Sequence, residues 1–100
     1  KEPSLEALPS LRWRRGSGPA SKPDGGSFPV IFVNRRKQTV ELFWKTPKGK
    51  RQSYGIIKPG KTKSQQSRPG AAWEIAETES GKTLGHCIVS DRKAKLIIPR

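Results

Sequence analysis

The chain has 100 residues, which limits it to one domain with one modest core. Its 21 Lys and Arg residues against 8 Asp and Glu give a formal net charge of +13, and a field this positive attracts nucleic acids and other polyanions. One cysteine and one histidine exclude an internal disulfide and a conventional zinc cluster, and no apolar run is long enough to span a membrane.

Residues 1–26, "KEPSLEALPSLRWRRGSGPASKPDGG", differ in composition from the rest of the chain. Their prolines and glycines are typical of a flexible linker or tail with little structure of its own. Trp13 stands among arginines, so it can stack on bases, sit at a membrane surface or dock on its own domain. Because the chain opens on Lys1 rather than methionine, we expect a fragment, a processed form or a module of a longer protein.

Residues 27–100 read as short apolar or alternating runs separated by turn signals. No segment has an apolar period of 3.6 residues, so helices are not predicted there. The fourth run, "TKSQQS", is polar and predicts an edge strand. This spacing predicts an all-β domain, a seven-stranded antiparallel β-sandwich. The predicted strands are 28–34, 39–45, 53–57, 62–67, 72–77, 84–90 and 94–99.

The stretch "GIIKPGKT", residues 55–62, fits the phosphate-loop pattern G-x-x-x-x-G-K-[ST]. A phosphate loop must open a helix, whose N-terminal amides hold the phosphates. Pro69 and Gly70 would break any helix begun after Thr62. We therefore interpret Pro59-Gly60 as a β-turn between two strands, with Gly60 at positive φ.

The sequence offers no constellation for catalysis. The acidic residues have no predictable base or metal partner, and the serines lack a nucleophile motif. His86 and Cys87 are adjacent, but neighbours in a strand point to opposite faces, so Cys87 is predicted to lie in the core. Neither an enzyme nor a cofactor is predicted.

Three aromatic residues lie in consecutive parts of the predicted sandwich: Trp44, Tyr54 and Trp73. Aromatic residues on neighbouring strands usually fill the core. Trp and Tyr also carry a polar N–H or O–H and often line half-exposed pockets. Such a pocket suits the rigid ring of proline.

The ordered set of residues resembles the β domain of the von Hippel–Lindau tumour-suppressor family. That family has an "IF-x-N-R" strand, a strand with Trp, a "Y-x-x-L/I-x-P-G" segment, a Ser before a Gly turn, and a final Trp. The spacings agree without gaps, and the resemblance covers roughly residues 28–99. The matching residues are Ile31, Phe32, Asn34, Arg35, Trp44, Tyr54, Ile57, Pro59, Gly60, Ser67, Gly70 and Trp73.

The resemblance implies a site for an extended peptide that carries 4-hydroxyproline. It makes Trp73 the floor under the pyrrolidine ring and Trp44 and Tyr54 the walls. It also implies that the Ser67 hydroxyl bonds the hydroxyl of the modified proline. The family's second hydroxyl partner, a histidine, is replaced here by Ala71. Since a buried hydroxyl with fewer partners loses on the order of 1–3 kcal/mol, we expect the pocket to accept plain proline, use another donor or serve another ligand.

The resemblance does not extend to the family's ligase partner. The tumour suppressor follows its β domain with a helical domain that recruits a ubiquitin ligase through Elongin C. This chain ends at Arg100 without a helical segment, so Elongin C binding is not expected. The family's β domain also occurs as an appended module in otherwise unrelated proteins, bacterial ones included.

Three hypotheses follow for function. The first is a non-catalytic module that docks a proline- or hydroxyproline-containing segment, with Trp44, Tyr54, Ser67, Ala71 and Trp73 as its site. The second is a structural spacer appended to an enzyme. The third is a polyanion- or nucleic-acid-binding module. Its candidate residues are Arg35, Arg36, Lys37, Lys48, Lys50, Arg51, Lys61 and Lys63, with Lys45 and Lys58 nearby in sequence.

Overall fold

A computed structural model describes residues 7–99. Within that range the chain forms eight β-strands and no α-helix. The strands are β1 (Arg14–Arg15), β2 (Phe28–Asn34), β3 (Val40–Lys45), β4 (Arg51–Ile57), β5 (Thr62–Ser67), β6 (Ala72–Glu77), β7 (Thr83–Ile88) and β8 (Ala94–Ile98). No helix in the described part is long and apolar enough to cross a bilayer.

The strands form two sheets, which confirms the predicted β-sandwich. The large sheet has the order β1-β7-β6-β3-β4, and the small sheet has the order β5-β2-β8. Strand β5 lies at an edge, as its polar sequence predicts. Two details differ from the prediction: β1 is an additional strand, and β2 pairs with β8 in parallel rather than antiparallel.

The core lies between the two sheets and follows the two-residue period of the strands. In β8, Ala94, Leu96 and Ile98 are buried, while the residues between them are half-exposed. Burying an aliphatic or aromatic side chain of this size contributes about 1.5–3 kcal/mol, so these inward positions dominate the stability of the sandwich. The buried cluster consists of Val30, Phe32, Val40, Leu42, Ile57, Ala71, Trp73, Ile75, Cys87, Val89, Leu96 and Ile98.

The sequence that fits a phosphate loop forms a strand, a turn and a strand. Strand β4 ends at Ile57 and β5 begins at Thr62. Lys61 N–H donates to the Lys58 carbonyl at 3.1 Å, which closes the turn, and Gly60 has a φ of 73°. No helix follows the turn to present amides to a phosphate, so the β-turn interpretation is confirmed.

Asn34, one of the residues that carry the family resemblance, lies next to this turn and has a structural role. It is fully buried, and its Nδ2 donates at 2.9 Å to the carbonyls of Gln38 and Ile57. Its Oδ1 accepts from Arg36 N–H at 2.9 Å. One amide side chain therefore joins the β2–β3 turn to the end of β4.

The N-terminal segment lies against both sheets. Near Ser10, the chain pairs in parallel with β8 at Lys95, and β1 then pairs with β7. The half-buried side chains of Leu11 and Trp13 pack against the core. The segment thus closes one side of the sandwich. The domain division of the chain, with a flexible linker or tail at 1–26 and the β-domain at 27–100, stays a prediction.

After β1, residues 16–24 cross the outer face of the large sheet and reach the β5–β6 turn at residues 69–70; we call residues 16–24 the strap. Gly18 N–H donates to Glu74 Oε2 at 2.8 Å, and His86 Nδ1–H donates to the Gly16 carbonyl at 2.9 Å. The Ser21 hydroxyl bonds both backbone groups of Ala72, at 2.8 and 3.3 Å. The strap thus contributes to the burial of the outer face of β6 at Ala72 and Glu74.

Candidate functional site

A half-open cavity of about 230 Å³ lies where the large sheet meets the end of β5. It brings together the five residues predicted from the sequence to bind a peptide: Trp44, Tyr54, Ser67, Ala71 and Trp73. The remaining lining residues are Pro23, Gln66 and Arg68. These three residues were not predicted, because no sequence motif marks them as part of a site. Pro23 also lies in the segment predicted to be a linker.

The three aromatic side chains form the floor and two walls of the cavity. Trp73 is only 2% exposed and lies at the bottom, while Trp44 and Tyr54 are half-buried. The Tyr54 and Trp73 ring centroids are 5.2 Å apart at 81°, and those of Trp44 and Tyr54 are 6.5 Å apart at 80°. These edge-to-face contacts fix the rings and leave aromatic surface toward the cavity.

A β-bulge in β4 turns Tyr54 toward the cavity. Tyr54 and Ile57 are three residues apart, so a regular strand would place them on opposite faces. The pairing with β3 shifts between Glu41 and Phe43, which inserts one extra residue in β4, and Gly55 there has a φ of 109°. Glycine tolerates this angle far better than other residues. The bulge therefore lets Tyr54 line the pocket while Ile57 fills the core.

Ser67, at the end of β5, brings the polar group of the cavity. It is buried, and its Oγ accepts a hydrogen bond from Trp73 Nε1–H at 3.0 Å. A hydroxyl has one proton and two lone pairs, so the Ser67 proton and one lone pair remain for another partner. Within residues 7–99, no acceptor for that proton is found.

Ala71 and Arg68 set the chemistry on the remaining side. Ala71 is 2% exposed and presents a methyl group to the cavity. Arg68 is exposed and is the one charged residue among the eight that line it. The cavity therefore has an aromatic floor with a buried hydroxyl beside it, and an exposed cation among its lining residues.

The outer face of the large sheet carries a buried charge cluster, separate from the cavity. Glu74 is 1% exposed and lies 3.3 Å from Lys45 Nζ and 3.7 Å from Arg51 Nε. The Arg51 guanidinium stacks 3.8 Å above the Phe43 ring. Glu74 also accepts from the strap, so this cluster ties the strap to β3, β4 and β6.

His86 and Cys87 point to opposite faces, as predicted. Cys87 is fully buried in the core, and burial raises the pKa of its thiol to about 12. His86 contacts the strap on the outer face. A thiol with so high a pKa is a poor nucleophile. In the described part of the chain, no group of three His, Cys, Asp or Glu residues is arranged to hold a metal ion.

The polyanion candidates lie at two ends of the sandwich rather than in one patch. The turns that carry Arg35–Lys37 and Lys61 are joined by backbone bonds between Asn34 and residues 60–61. Lys63 lies two residues beyond Lys61. The other candidates follow the far end of β3 in sequence: Lys48, Lys50 and Arg51. Because a strand rises about 3.3 Å per residue, the two ends of β3 are about 16 Å apart. Arg36 and Arg51 are also paired, with Glu77 and Glu74.

A second cavity, of about 340 Å³, lies at the end of the sandwich away from the aromatic one. Glu77 and Glu79 line it beside Lys37, and its other lining residues are Gln38, Thr39, Pro59, Thr78 and Ser80. Glu77 is bridged by Arg36 at 3.8 Å and accepts from Ser80 at 2.8 Å. These contacts account for its charge within the protein.

Comparison with known proteins gives a family assignment. A search of curated proteins finds no match to the sequence. A family model described as the VHL beta domain matches residues 24–90. The match includes every residue that lines the aromatic cavity except Pro23, which lies just outside it. This chain belongs to the VHL β-domain family, whose fold is a non-catalytic recognition β-sandwich.

Proposed function

We propose that this domain is a non-catalytic peptide-binding module that docks an extended, proline-containing segment of a partner protein in its aromatic cavity. One observation carries the proposal: Trp44, Tyr54 and Trp73 enclose a cavity whose single buried hydroxyl, on Ser67, has a proton to donate. The family supports protein recognition in general. The aromatic lining of the cavity supports a proline-containing ligand.

A proline ring suits this cavity for two reasons. Aromatic faces attract the C–H edges of a saturated ring, and the enclosure removes its apolar surface from water. Proline also has a fixed φ, so little conformational entropy is lost when it binds. The cavity of about 230 Å³ has room for a pyrrolidine ring.

The neighbouring strand supports an extended ligand. Strand β4 lies at the edge of the large sheet, and Tyr54 projects from it into the cavity. An exposed edge can pair with a peptide backbone while a side chain of the peptide enters an adjacent pocket. The bulge at Gly55 interrupts that edge, so pairing is expected on the Arg51–Ser53 side of Tyr54.

The polar groups that line the cavity, on Ser67 and Arg68, determine which hydroxyl groups and charges of a ligand the cavity would favour. Ala71 adds no hydrogen-bonding group, so Ser67 is the main partner for a ligand hydroxyl, and we expect little preference for hydroxyproline. Arg68 near the mouth and the net charge of +13 favour acidic residues beside the proline.

The test is a titration of short peptides that share one sequence and differ at the central residue. Proline and 4-hydroxyproline versions, each with acidic flanks, should bind the wild type with similar affinity, and an alanine version should bind much more weakly. The Tyr54→Phe variant should keep most of the affinity because it retains the wall. If none of the peptides binds, the peptide-binding proposal is wrong and the structural-spacer hypothesis is preferred.

A further inference from the structure

We infer that the strap is part of the recognition site and that Pro23 is a binding residue, forming a wall of the aromatic cavity. The inference rests on the proposed function and adds a residue from outside the family-matched strands. Pro23 lines the cavity together with Trp44, Tyr54 and Trp73. Because the cavity remains open beside it, Pro23 acts as a wall and not as a plug.

Backbone hydrogen bonds hold Pro23 in place. Lys22 N–H donates to the Gly70 carbonyl at 3.0 Å, and Asp24 N–H donates to the Pro69 carbonyl at 2.9 Å. These donors lie on either side of Pro23, which has no N–H of its own to leave unpaired. The bonded partners, Pro69 and Gly70, directly precede Ala71 in the cavity lining.

Gly70 makes this close approach feasible. A Cβ at position 70 would lie 2.3 Å from the Lys22 carbonyl oxygen, and Gly70 has a φ of 82°. Any other residue there would push the strap away from the cavity. The turn that leads into the floor of the pocket is thus fitted to the strap.

Further along the strap, two more contacts anchor it to β6. The Ser21 hydroxyl, 1% exposed, bonds Ala72 on one side of Trp73, and Gly18 N–H bonds Glu74 on the other. The strap is therefore bonded to β6, the strand that also carries Trp73 at the floor of the cavity. The Pro23 ring is fixed relative to the Trp73 ring, as recognition of a small rigid ligand requires.

The first experiment compares Pro23 with an exposed proline outside the strap. Pro23→Ala should weaken binding of the proline peptide with acidic flanks by about three- to tenfold, because ring contacts are lost. Pro47→Ala is the matched control, since Pro47 is exposed in the turn between β3 and β4 and does not line the aromatic cavity. Its affinity should equal that of the wild type.

The second experiment displaces the strap without changing Pro23. Gly70→Ala introduces the clash with Lys22, whereas Gly49→Ala carries the same φ of 82° in open space. Gly70→Ala should weaken binding of the proline peptide by a similar factor. It should also speed hydrogen exchange at the Lys22 and Asp24 amides. Gly49→Ala should do neither.

The outcomes separate the two claims. If the wild type binds the peptide, and Pro23→Ala and Gly70→Ala bind as well as their controls, the strap is not part of the site and the proposed function stands. Tighter peptide binding by Pro23→Ala would show that the Pro23 ring obstructs the cavity, and it would overturn the inference that Pro23 contacts the ligand. No binding by the wild type overturns the proposed function and this inference with it.

Discussion

The Trp73 indole donates a hydrogen bond to Ser67 Oγ across 3.0 Å, so the floor of the cavity orients the hydroxyl beside it. The indole occupies one lone pair of the oxygen. The Ser67 proton is therefore free to point toward a ligand, whether the acceptor is a peptide carbonyl or the hydroxyl of a modified proline.

Replacing Ser67 with alanine should affect both stability and binding. The buried Trp73 N–H loses its partner, which should lower the free energy of unfolding by roughly 1–3 kcal/mol. Affinity for the proline peptide should fall about three- to tenfold. Urea denaturation and peptide titration measure the two effects. Ser64→Ala, on the exposed side of the same strand, is the control and should change neither.

Replacing Ala71 with histidine should create a preference for hydroxyproline. The imidazole would add a second hydrogen-bond partner for the ligand hydroxyl, worth up to about tenfold per 1.4 kcal/mol gained. The measurement is the ratio of affinities for the paired peptides. Ala71→Leu adds bulk without a donor and should leave that ratio near the wild-type value. A strong hydroxyproline preference in the wild type itself would show that another residue replaces the histidine.

Replacing Lys61 with alanine should leave peptide binding nearly unchanged. Lys61 is exposed in the turn between β4 and β5, where no helix offers amides to a phosphate. For the same reason ATP should not raise the melting temperature of the wild type. Stabilisation by ATP that disappears in Lys61→Ala would contradict this interpretation of the turn.

Binding to polyanions should be weak and independent of sequence, because the basic residues lie at two separate ends of the sandwich. On a heparin column at low salt, the wild type should be retained and should elute as salt rises, with log affinity falling linearly against log salt. Peptide binding through aromatic contacts should depend much less on salt. A protein that passes heparin unretained would remove the polyanion hypothesis.

Alkaline pH should destabilise the fold through Cys87. Burial raises the pKa of the thiol from 9.0 to about 12. Between these values the unfolded chain loses the proton while the folded chain retains it, so rising pH favours unfolding. The contribution is fully present below pH 9.0 and is lost as pH rises through about 12. Urea midpoints should therefore fall more steeply with pH in the wild type than in Cys87→Ala.

Seven of the eight strands in the described part, β2 to β8, could be predicted because each of them has local signals. The apolar run at residues 28–34 and the polar run at 62–67 match β2 and β5 at both ends. Pro59-Gly60 marks the turn between β4 and β5, because proline followed by glycine is a local turn signal. Positions whose conformation depends on adjacent residues are accessible from sequence.

The strap and the Pro23 wall could not be predicted, because their partners lie far along the chain. Lys22 and Asp24 pair through backbone atoms with residues 69–70, and backbone pairing leaves no side-chain pattern. The parallel pairing of β2 with β8 was missed for a related reason. Several strand orders satisfy the same alternation of apolar and polar residues.

The long sequence separations of the strap contacts also set an order of assembly. Gly18–Glu74 and Gly16–His86 join positions 56 and 70 residues apart, and closing such loops costs entropy before any contact compensates for it. The aromatic floor and walls come from β3, β4 and β6, which are much closer in sequence. During folding, the pocket should therefore acquire its floor first and its proline wall last. In a chain synthesised from its N-terminus, the strap would emerge before β6 and β7 and would dock only after they have formed.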